Sequence, residues 1–566
     1  MLFLMIGFFG RRRTFVIILF LILLLMLSST RTDNLGDWDE ANHASSSLFV
    51  YNFVKDWFKN PTFSFDELKQ RAVDYHARYK YFTVLFIYPP MDLMFSVFIY
   101  IFFGVSVLTT NLATIIEAIL VLFFVYKLSK LFFGIKNVEN DDTEDKKEKD
   151  WDIFPAIAVL LVAFNAIFFT VAIKNYIDIM LMLFMLASAY FFIRFLKKDD
   201  TFYLYLFAIS LAFGILSKQL MIFMIPVFVI VFIWEKKIKG IKEHGKSILK
   251  SFALFMIFLI PLWIQLGLLL SQGLFDIYLR VWYFNPSVGG AGLDSFLPAL
   301  TSATVEKLFL NTSLLFYQWF IVPLFLIGLY YVIKRHNESD KILVLSILLF
   351  FYLFLVKIQG NSLARLMMLL APFVAIITVK GLIEMKNWSK SEVWKGLYVL
   401  IIILIVAASM FQTFTFNQAI ISSYPAPDDP VYPTTTDFSG AAVFLSEEMK
   451  APATVITTFG HMQMFEFAQH DTNRYITSMY APYTKEDWEK ALVGDYSYRA
   501  SEELWQSYGI EYGVPKYAVI HERQLLSGQF KYDIDYLLSD SRFELIKTIN
   551  GDQEGDKTFI FKIAAL

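Results

Sequence analysis

Residues 11–43, RRRTFVIILFLILLLMLSSTRTDNLGDWDEANH, decide how the rest of the chain is read. Arg11, Arg12 and Arg13 precede an apolar run from Thr14 to Ser29, and basic residues on that flank hold a segment's start in the cytoplasm. No small-residue cleavage site follows cleanly, so the run is expected to remain as a first membrane span and not to leave as a signal peptide. Everything after Ser29 then begins outside. There, Gly36-Asp37-Trp38-Asp39-Glu40-Ala41-Asn42-His43 packs three carboxylates and a histidine into seven residues at the outer membrane surface.

The composition agrees with a membrane reading. The 566 residues are 57% hydrophobic and 18% charged, with a mean hydropathy of +0.52, whereas soluble domains carry about 25% charged residues. The apolar residues fall in blocks of about twenty, the length that crosses a bilayer. The net charge of −2 divides unevenly: residues 1–416 carry 38 Lys and Arg against 30 Asp and Glu, and residues 417–566 carry 12 against 22. The first part is therefore at +8 and the acidic tail at −10, with no basic footprint for nucleic acid. The absence of cysteine excludes disulfides, cysteine-ligated zinc and thiol catalysis.

Ten further apolar runs lie near 109–131, 153–173, 178–195, 203–217, 219–234, 248–270, 313–333, 342–357, 366–385 and 396–416, giving eleven with the first. Threaded alternately, every strongly basic short loop falls on the cytoplasmic side: Lys127 to Lys149, Arg194 to Lys198, Lys236 to Lys242, Lys334-Arg335, and Lys386 to Lys395. Residues 82–103 are apolar enough to be a twelfth span, but counting them would invert that pattern, and Pro89-Pro90 and Asp92 interrupt the run. Residues 84–103 are expected to form an interfacial or re-entrant helix on the outer side. The first outer loop, 30–108, carries two more helical signals: an apolar stripe of Leu48, Phe49, Phe53 and Trp57, and a capping box of Ser64 and Glu67. Such helices beside a span lie in the headgroup plane.

After the last run, Pro425, Pro427, Pro430 and Pro433 mark a linker, 417–435. Short β-rich runs follow at Thr454–Thr458, Tyr517–Ile520, Phe543–Ile549 and Thr558–Ile563, with helical stretches at Phe438–Met449 and Thr484–Leu492. The expected architecture is an all-α polytopic membrane domain over 1–416, with about 11 transmembrane helices plus juxtamembrane helices in 30–108, and a C-terminal extracytoplasmic α/β domain over 436–566. His461, His470 and His521 read as ordinary surface or core histidines, and no P-loop, GxGxxG, HExxH or GxSxG occurs.

The acidic cluster has a plain reading, a solvated turn capping the next helix, and a chemical one. A carboxylate held at the membrane surface can serve as general base toward a hydroxyl. Asp39 and His43, four apart on a nascent helix, could also share a divalent ion. Other charges sit where they are expensive: Asp178 at the outer end of one span, Lys218 at an outer turn, and Lys357 and Arg365 flanking an outer loop. Snorkelling to the interface explains each singly. Their convergence on one rim, together with Asp37, suits a lipid-linked anion, with cations neutralising phosphate and carboxylates handling a hydroxyl or sugar.

These residues resemble a known family. The Asp39-Glu40 pair just after the first span resembles the signature of GT-C membrane glycosyltransferases, in the branch of the protein O-mannosyltransferases and lipid A aminoarabinose transferases. Pro89-Pro90-Met91 followed by Phe103-Gly104 resembles the family's juxtamembrane helix, and Leu112 to Lys130 its second span. Asn175-Tyr176-Ile177-Asp178 resembles the second acidic site. Gly214-Ile215-Leu216-Ser217-Lys218 resembles the Gly-x-x-x-Thr/Ser-Lys segment, and Arg365 the arginine before the later spans. The chain departs from the pattern at Asn111, at Leu366 after Arg365, and at Ile87-Tyr88 before the prolines.

The resemblance implies an inverting transfer of a sugar from a polyprenyl-phosphate carrier to a protein, lipid or glycan acceptor on the outer face of the cell membrane. It gives Asp39 the role of base with Glu40 beside it, assigns the departing phosphate to Lys218 and Arg365, and leaves Asp178 to orient the base or bind acceptor or metal. A divalent ion, if used, would draw on Asp39, His43 and Asp178. The competing expectation is a transporter or flippase, which would need polar residues near the bilayer midplane and broken helices in matched halves.

Overall fold

The computed structural model describes residues 11–30, 38–64, 66–68, 70–71, 91–133, 153–271, 318–334, 344–345, 347, 367–386, 388, 391–422, 437–451, 453–458, 460–470, 476–497, 513–525, 530–551 and 557–564. In chain order the main helices are α1 (Arg11–Ser29), α2 (Trp38–Lys59), α3 (Met91–Phe103), α4 (Val107–Phe132), α5 (Ile153–Ala163), α6 (Ala166–Ala172), α7 (Ile177–Lys198), α8 (Thr201–Ser217), α9 (Ile225–Phe258), α10 (Ile260–Ser271), α11 (Val322–Lys334), α12 (Ala371–Lys386) and α13 (Glu392–Ser422). The α/β part adds α14 (Phe438–Glu448), β1 (Ala453–Thr457), α15 (Gly460–His470), β2 (Ile476–Tyr480), α16 (Lys485–Leu492), β3 (Pro515–His521), α17 (Ile534–Ser539), β4 (Phe543–Asn550) and β5 (Lys557–Ile563).

Among the described residues five helices are long and apolar enough to cross a membrane, or seven if each of two bent pairs is one span. The apolar runs at 14–29, 203–217 and 313–333 form shorter helices, and most of the 342–357 run lies outside the described residues. Within 82–103 only α3 is described, and its 13 residues reach about 20 Å at 1.5 Å per residue, short of a bilayer core. Gly104, at φ +76°, ends it in a left-handed conformation that costs a glycine little. Ser106 and Thr109 then cap α4 reciprocally, each side chain accepting from the other's backbone N–H at 3.1 and 2.8 Å.

The chain forms two compact units. One comprises residues 1–29, 88–92 and 114–421, the other 30–87, 93–113 and 422–566. Of the first-loop elements that the sequence grouped with the spans, α2 therefore packs against the C-terminal part. Similarly, α13 runs to Ser422, past the expected start of the linker at 417, because no proline or glycine lies between 417 and Pro425.

In the first unit α7 is buried on nearly every face, as expected of a helix apolar all round. It turns into α8 at Asp199-Asp200: Asp199 closes α7 in the left-handed region (φ 59°), and Asp200 caps α8 by accepting from the Phe202 N–H at 2.9 Å. The Asp199 carboxyl also meets Lys236 and His244, and Lys236 holds it below the usual carboxylate range. Helices α11 and α12 touch backbone to backbone: a Cβ on Gly381 would lie 2.0 Å from the Leu324 carbonyl oxygen, and one on Gly328 1.9 Å from that of Ile377. Small residues at the crossing are the usual route to tight helix pairs in membranes. Helices α5 and α6 bend by 71° at Asn165, whose side chain caps α6 through the Phe168 N–H. The bend removes an intrahelical partner from the Phe164 carbonyl, which instead accepts from Gln318 Nε2 at 2.8 Å and the Thr413 hydroxyl at 2.6 Å.

In the second unit the sheet has the order β2-β1-β3-β5-β4, with β2, β1 and β3 parallel and β5 and β4 antiparallel. The α/β expectation for the tail is met, with one strand, β2, that the sequence reading did not assign. Central β1 is buried throughout, the pattern of a parallel strand covered on both faces. Trp488, Tyr496 and Phe561 are the largest fully buried side chains of this unit's main core.

Candidate active site

Two polar centres carry the chemistry the sequence singled out, one in each unit.

The first is the start of α2. Trp38, Asp39 and Glu40 form its first turn, where carboxylates meet the positive end of the helix dipole. The helix that Asp39 and His43 were expected to share is therefore present. Glu40 and His43 are buried, at 2% and 3% exposure. Asp37 and the Asp39 side chain lie outside the described residues. Ser45, Ser46 and Ser47 follow, all buried, and the Ser47 hydroxyl donates back to the His43 carbonyl at 2.9 Å.

The second is the Asp178–Lys218 pair. Asp178 sits in the first turn of α7 and is fully buried. Lys218 is the residue after α8, in extended backbone (φ −153°) before the 3-10 turn Gln219–Met224. Its Nζ donates to Asp178 Oδ1 at 2.7 Å, with side-chain exposures of 7% and 1%. The Gly214-to-Lys218 motif has a local cause at each marked position. A Cβ on Gly214 would come within 2.7 Å of Met221 Cγ, so glycine lets the turn fold under the helix end. Ser217 returns its hydroxyl to the Phe213 carbonyl at 2.8 Å, and the Lys218 N–H closes α8 on Gly214. The sequence placed Asp178 and Lys218 on one face with separate tasks; the structure joins them.

A third residue belongs to this layer. Asn175, buried just before α7, lies 3.5 Å from the Thr114 hydroxyl on α4. Lower down, Phe124 rings meet Tyr190 and Phe191 at 5.9 Å, and Lys197 Nζ reaches the Leu131 carbonyl at 3.3 Å. Helices α4 and α7 therefore run side by side in the same direction. Glu117, one turn past Thr114 and 1% exposed, falls within about a turn of the level of Asp178. A carboxylate inside an apolar helix costs several kcal/mol on insertion scales. That was the signal that the sequence reading missed, because it weighed charges only at span ends.

Lys357 and Arg365 lie outside the described residues. Among the described residues no group of three His, Cys, Asp or Glu side chains is arranged to hold a metal, and Asp178 is engaged by Lys218. The expected Asp39, His43 and Asp178 ligand set includes the Asp39 side chain, which lies outside the described residues.

Residues 154–264, which contain both Asp178 and Lys218, match the family described as dolichyl-phosphate-mannose-protein mannosyltransferase. No curated protein matches the sequence. The fold is similar to the crystal structure of ArnT from Cupriavidus metallidurans bound to undecaprenyl phosphate, with a TM-score of 0.57 at 13% identity, covering 97% of each chain. The apo structure of the same protein gives 0.58 at 12% identity, covering 98% of this chain and 99% of that one. The chain has the GT-C fold. In that fold the matched 111-residue stretch runs from the elbow of α5 and α6 through the Asp178–Lys218 pair to α10.

Proposed function

We propose that the chain is an inverting glycosyltransferase that moves a sugar from a polyprenyl-phosphate donor to an acceptor hydroxyl on the outer face of the membrane. The observation that carries this reading is the buried Asp178–Lys218 pair inside the stretch that matches the mannosyltransferase family. Its support is a fold like that of a protein crystallised with undecaprenyl phosphate. On this reading residues 1–416 form the catalytic membrane domain of eleven spans with a cytoplasmic N-terminus, residues 417–435 the linker, and residues 436–566 an extracytoplasmic domain.

The reaction forms a bond from the acceptor oxygen to the anomeric carbon and breaks the carbon–oxygen bond to phosphate. The leaving polyprenyl phosphate keeps the electron pair. Asp39 takes the acceptor proton, with Glu40 beside it in the first turn of α2. Arg365, Lys218 and Lys357 offset the charge that grows on the phosphate, an electrostatic contribution of several kcal/mol in a dry site. Lys218 acts with its ammonium already aimed by Asp178, and Asp37 and Asp178 hold donor or acceptor hydroxyls.

Transport is the other reading, and the two bent helix pairs speak for it, since broken helices in transporters expose carbonyls to their cargo. At the α5–α6 elbow, however, the freed Phe164 carbonyl is taken by Gln318 and Thr413, so that bend has a structural explanation.

The test uses purified protein, envelope extract as acceptor, and radiolabelled undecaprenyl-phosphate mannose and undecaprenyl-phosphate aminoarabinose side by side. Wild type is expected to release undecaprenyl phosphate from one of them. Asp39→Asn is expected to release none while inserting and melting normally. Wild-type turnover by Asp39→Asn would remove Asp39 as base, and label crossing vesicles without bond cleavage would favour transport.

A further inference from the structure

Helix α2 is poorly suited to stand alone. Its N-terminal half reads Trp38-Asp39-Glu40-Ala41-Asn42-His43-Ala44-Ser45-Ser46-Ser47, and serines compete for the backbone and weaken a helix, as Ser47 does by bonding back to His43. Most helical stability in a folded protein comes from packing of one face, so its order comes from packing. That packing is unequal along its length. Ala41, Ala44 and Leu48, at i, i+3 and i+7, are at most 2% exposed, whereas Phe58 near the far end is 72% exposed.

The buried face meets Phe438 and Phe465 of the C-terminal domain, with Val107 completing the cluster. Alanines at 41 and 44 let the aromatic rings approach the helix closely. Phe438 is itself held on several sides. Its helix is capped by Asp437 on the Gly440 N–H at 2.6 Å, its carbonyl accepts from Gln463 Nε2 at 2.9 Å, and its ring stands edge-on to His521 at 4.9 Å. Phe465, fully buried, lies on α15, which leaves the carboxyl end of β1; His521 ends β3. Since β1 lies between β2 and β3, these elements mark the switch point where open α/β sheets bind their ligands. In this chain the elements at that edge hold α2.

We propose that the C-terminal domain acts as the positioning element for the acidic end of α2. Phe438 and Phe465 fix the direction of the helix that carries Asp39 and Glu40, and the soluble domain thereby sets the aim of the base. The inference rests on the reading of Asp39 as base given above, and Phe438 and Phe465 touch no substrate in it. Sub-ångström placement matters here because a displacement of about 1 Å at a reacting group can cost about 100-fold in rate.

The experiment combines hydrogen exchange with kinetics on the full chain in detergent. In Phe465→Ala, amides of residues 38–48 are expected to exchange faster. The kcat for undecaprenyl phosphate release is expected to fall about 10- to 100-fold with the KM for the labelled donor unchanged, and Phe465→Leu is expected to recover most of both. Ala44→Leu, which pushes on the same contact from the other side, is expected to give the same signature and serves if Phe465→Ala does not fold. Unchanged exchange at 38–48 would overturn the brace. Faster exchange with a wild-type kcat would overturn its catalytic role. A wild type that releases no lipid phosphate from either donor would instead sink the transferase reading, and exchange in the variants would still decide whether the brace exists.

Discussion

Among the spans, Asp178 and Lys218 are buried as a charged pair 2.7 Å apart. In the sheet of the C-terminal domain His521 is buried without charge, its Nδ1 2.9 Å from the Thr558 hydroxyl. Burial drives the His521 pKa from 6.5 down to about 3, because desolvation penalises the charged imidazolium. One site keeps its charges by coupling residues forty positions apart in sequence; the other keeps its place in the core by giving charge up. The first arrangement holds an ammonium in one place against a carboxylate, and the second makes a scaffold whose stability depends on pH.

Breaking the charged pair is expected to have the largest effect. Lys218→Met leaves Asp178 buried without its cation, a loss of about 3–5 kcal/mol, read as a lower melting temperature and lost turnover. Asp178→Asn combined with Lys218→Met is expected to recover much of the stability and none of the turnover. Recovery of turnover in the double variant would reduce the pair to a structural strut.

The neutral site gives a smaller, pH-graded effect. Unfolded His521 titrates at 6.5 and folded His521 at about 3, so the unfolded state binds the extra proton throughout that window. Stability is therefore fully present above pH 6.5 and is lost as pH falls toward 3, by about 2 kcal/mol at pH 5. Hydrogen exchange at β3 amides, measured at pH 7 and pH 5 with correction for intrinsic rates, is expected to show that loss in wild type and a flatter response in His521→Asn. The smallest effect belongs to Arg542, which clamps Glu489 and Asp540 near 2.6 Å on the surface of the same domain. With Glu489 58% exposed, Arg542→Ala is expected to cost under about 1 kcal/mol by thermal melting, and less still in high salt.

The comparison also separates what the sequence carried from what it did not. Apolar runs located the five long apolar helices because each run announces itself within about twenty residues, and the β-rich runs of the tail announced four of the five described strands. Strand β2 was missed because Ile476 to Tyr480, ITSMY, mixes Ser478 and Met479 among its strand formers, whereas the equally short β1, ATVIT, is rich in β-branched residues. Asp178 and Lys218 were legible singly, as expensive charges in apolar surroundings. Their pairing was not, since it depends on where the hairpin of α7 and α8 returns. The glycine of the Gly214 motif was recognised by likeness alone; its reason, Met221 in the turn folded beneath it, is seen only once that turn is formed. The grip of Phe438 and Phe465 on α2 joins residues some four hundred positions apart and leaves no local trace.

The elbow between α5 and α6 bears on how the chain is built. The Phe164 carbonyl is completed by Gln318 and Thr413, which come 154 and 249 residues later. As the protein is made from its N-terminus, the bend at Asn165 must enter the membrane long before either partner exists, with its carbonyl served only by water or a passing neighbour. The turn is thus provisional through most of synthesis and becomes fixed when α13 inserts. Assembly of the first half is in this sense finished by the second, and a ribosome stalled before Thr413 would leave the Phe164 carbonyl with Gln318 but without the Thr413 hydroxyl.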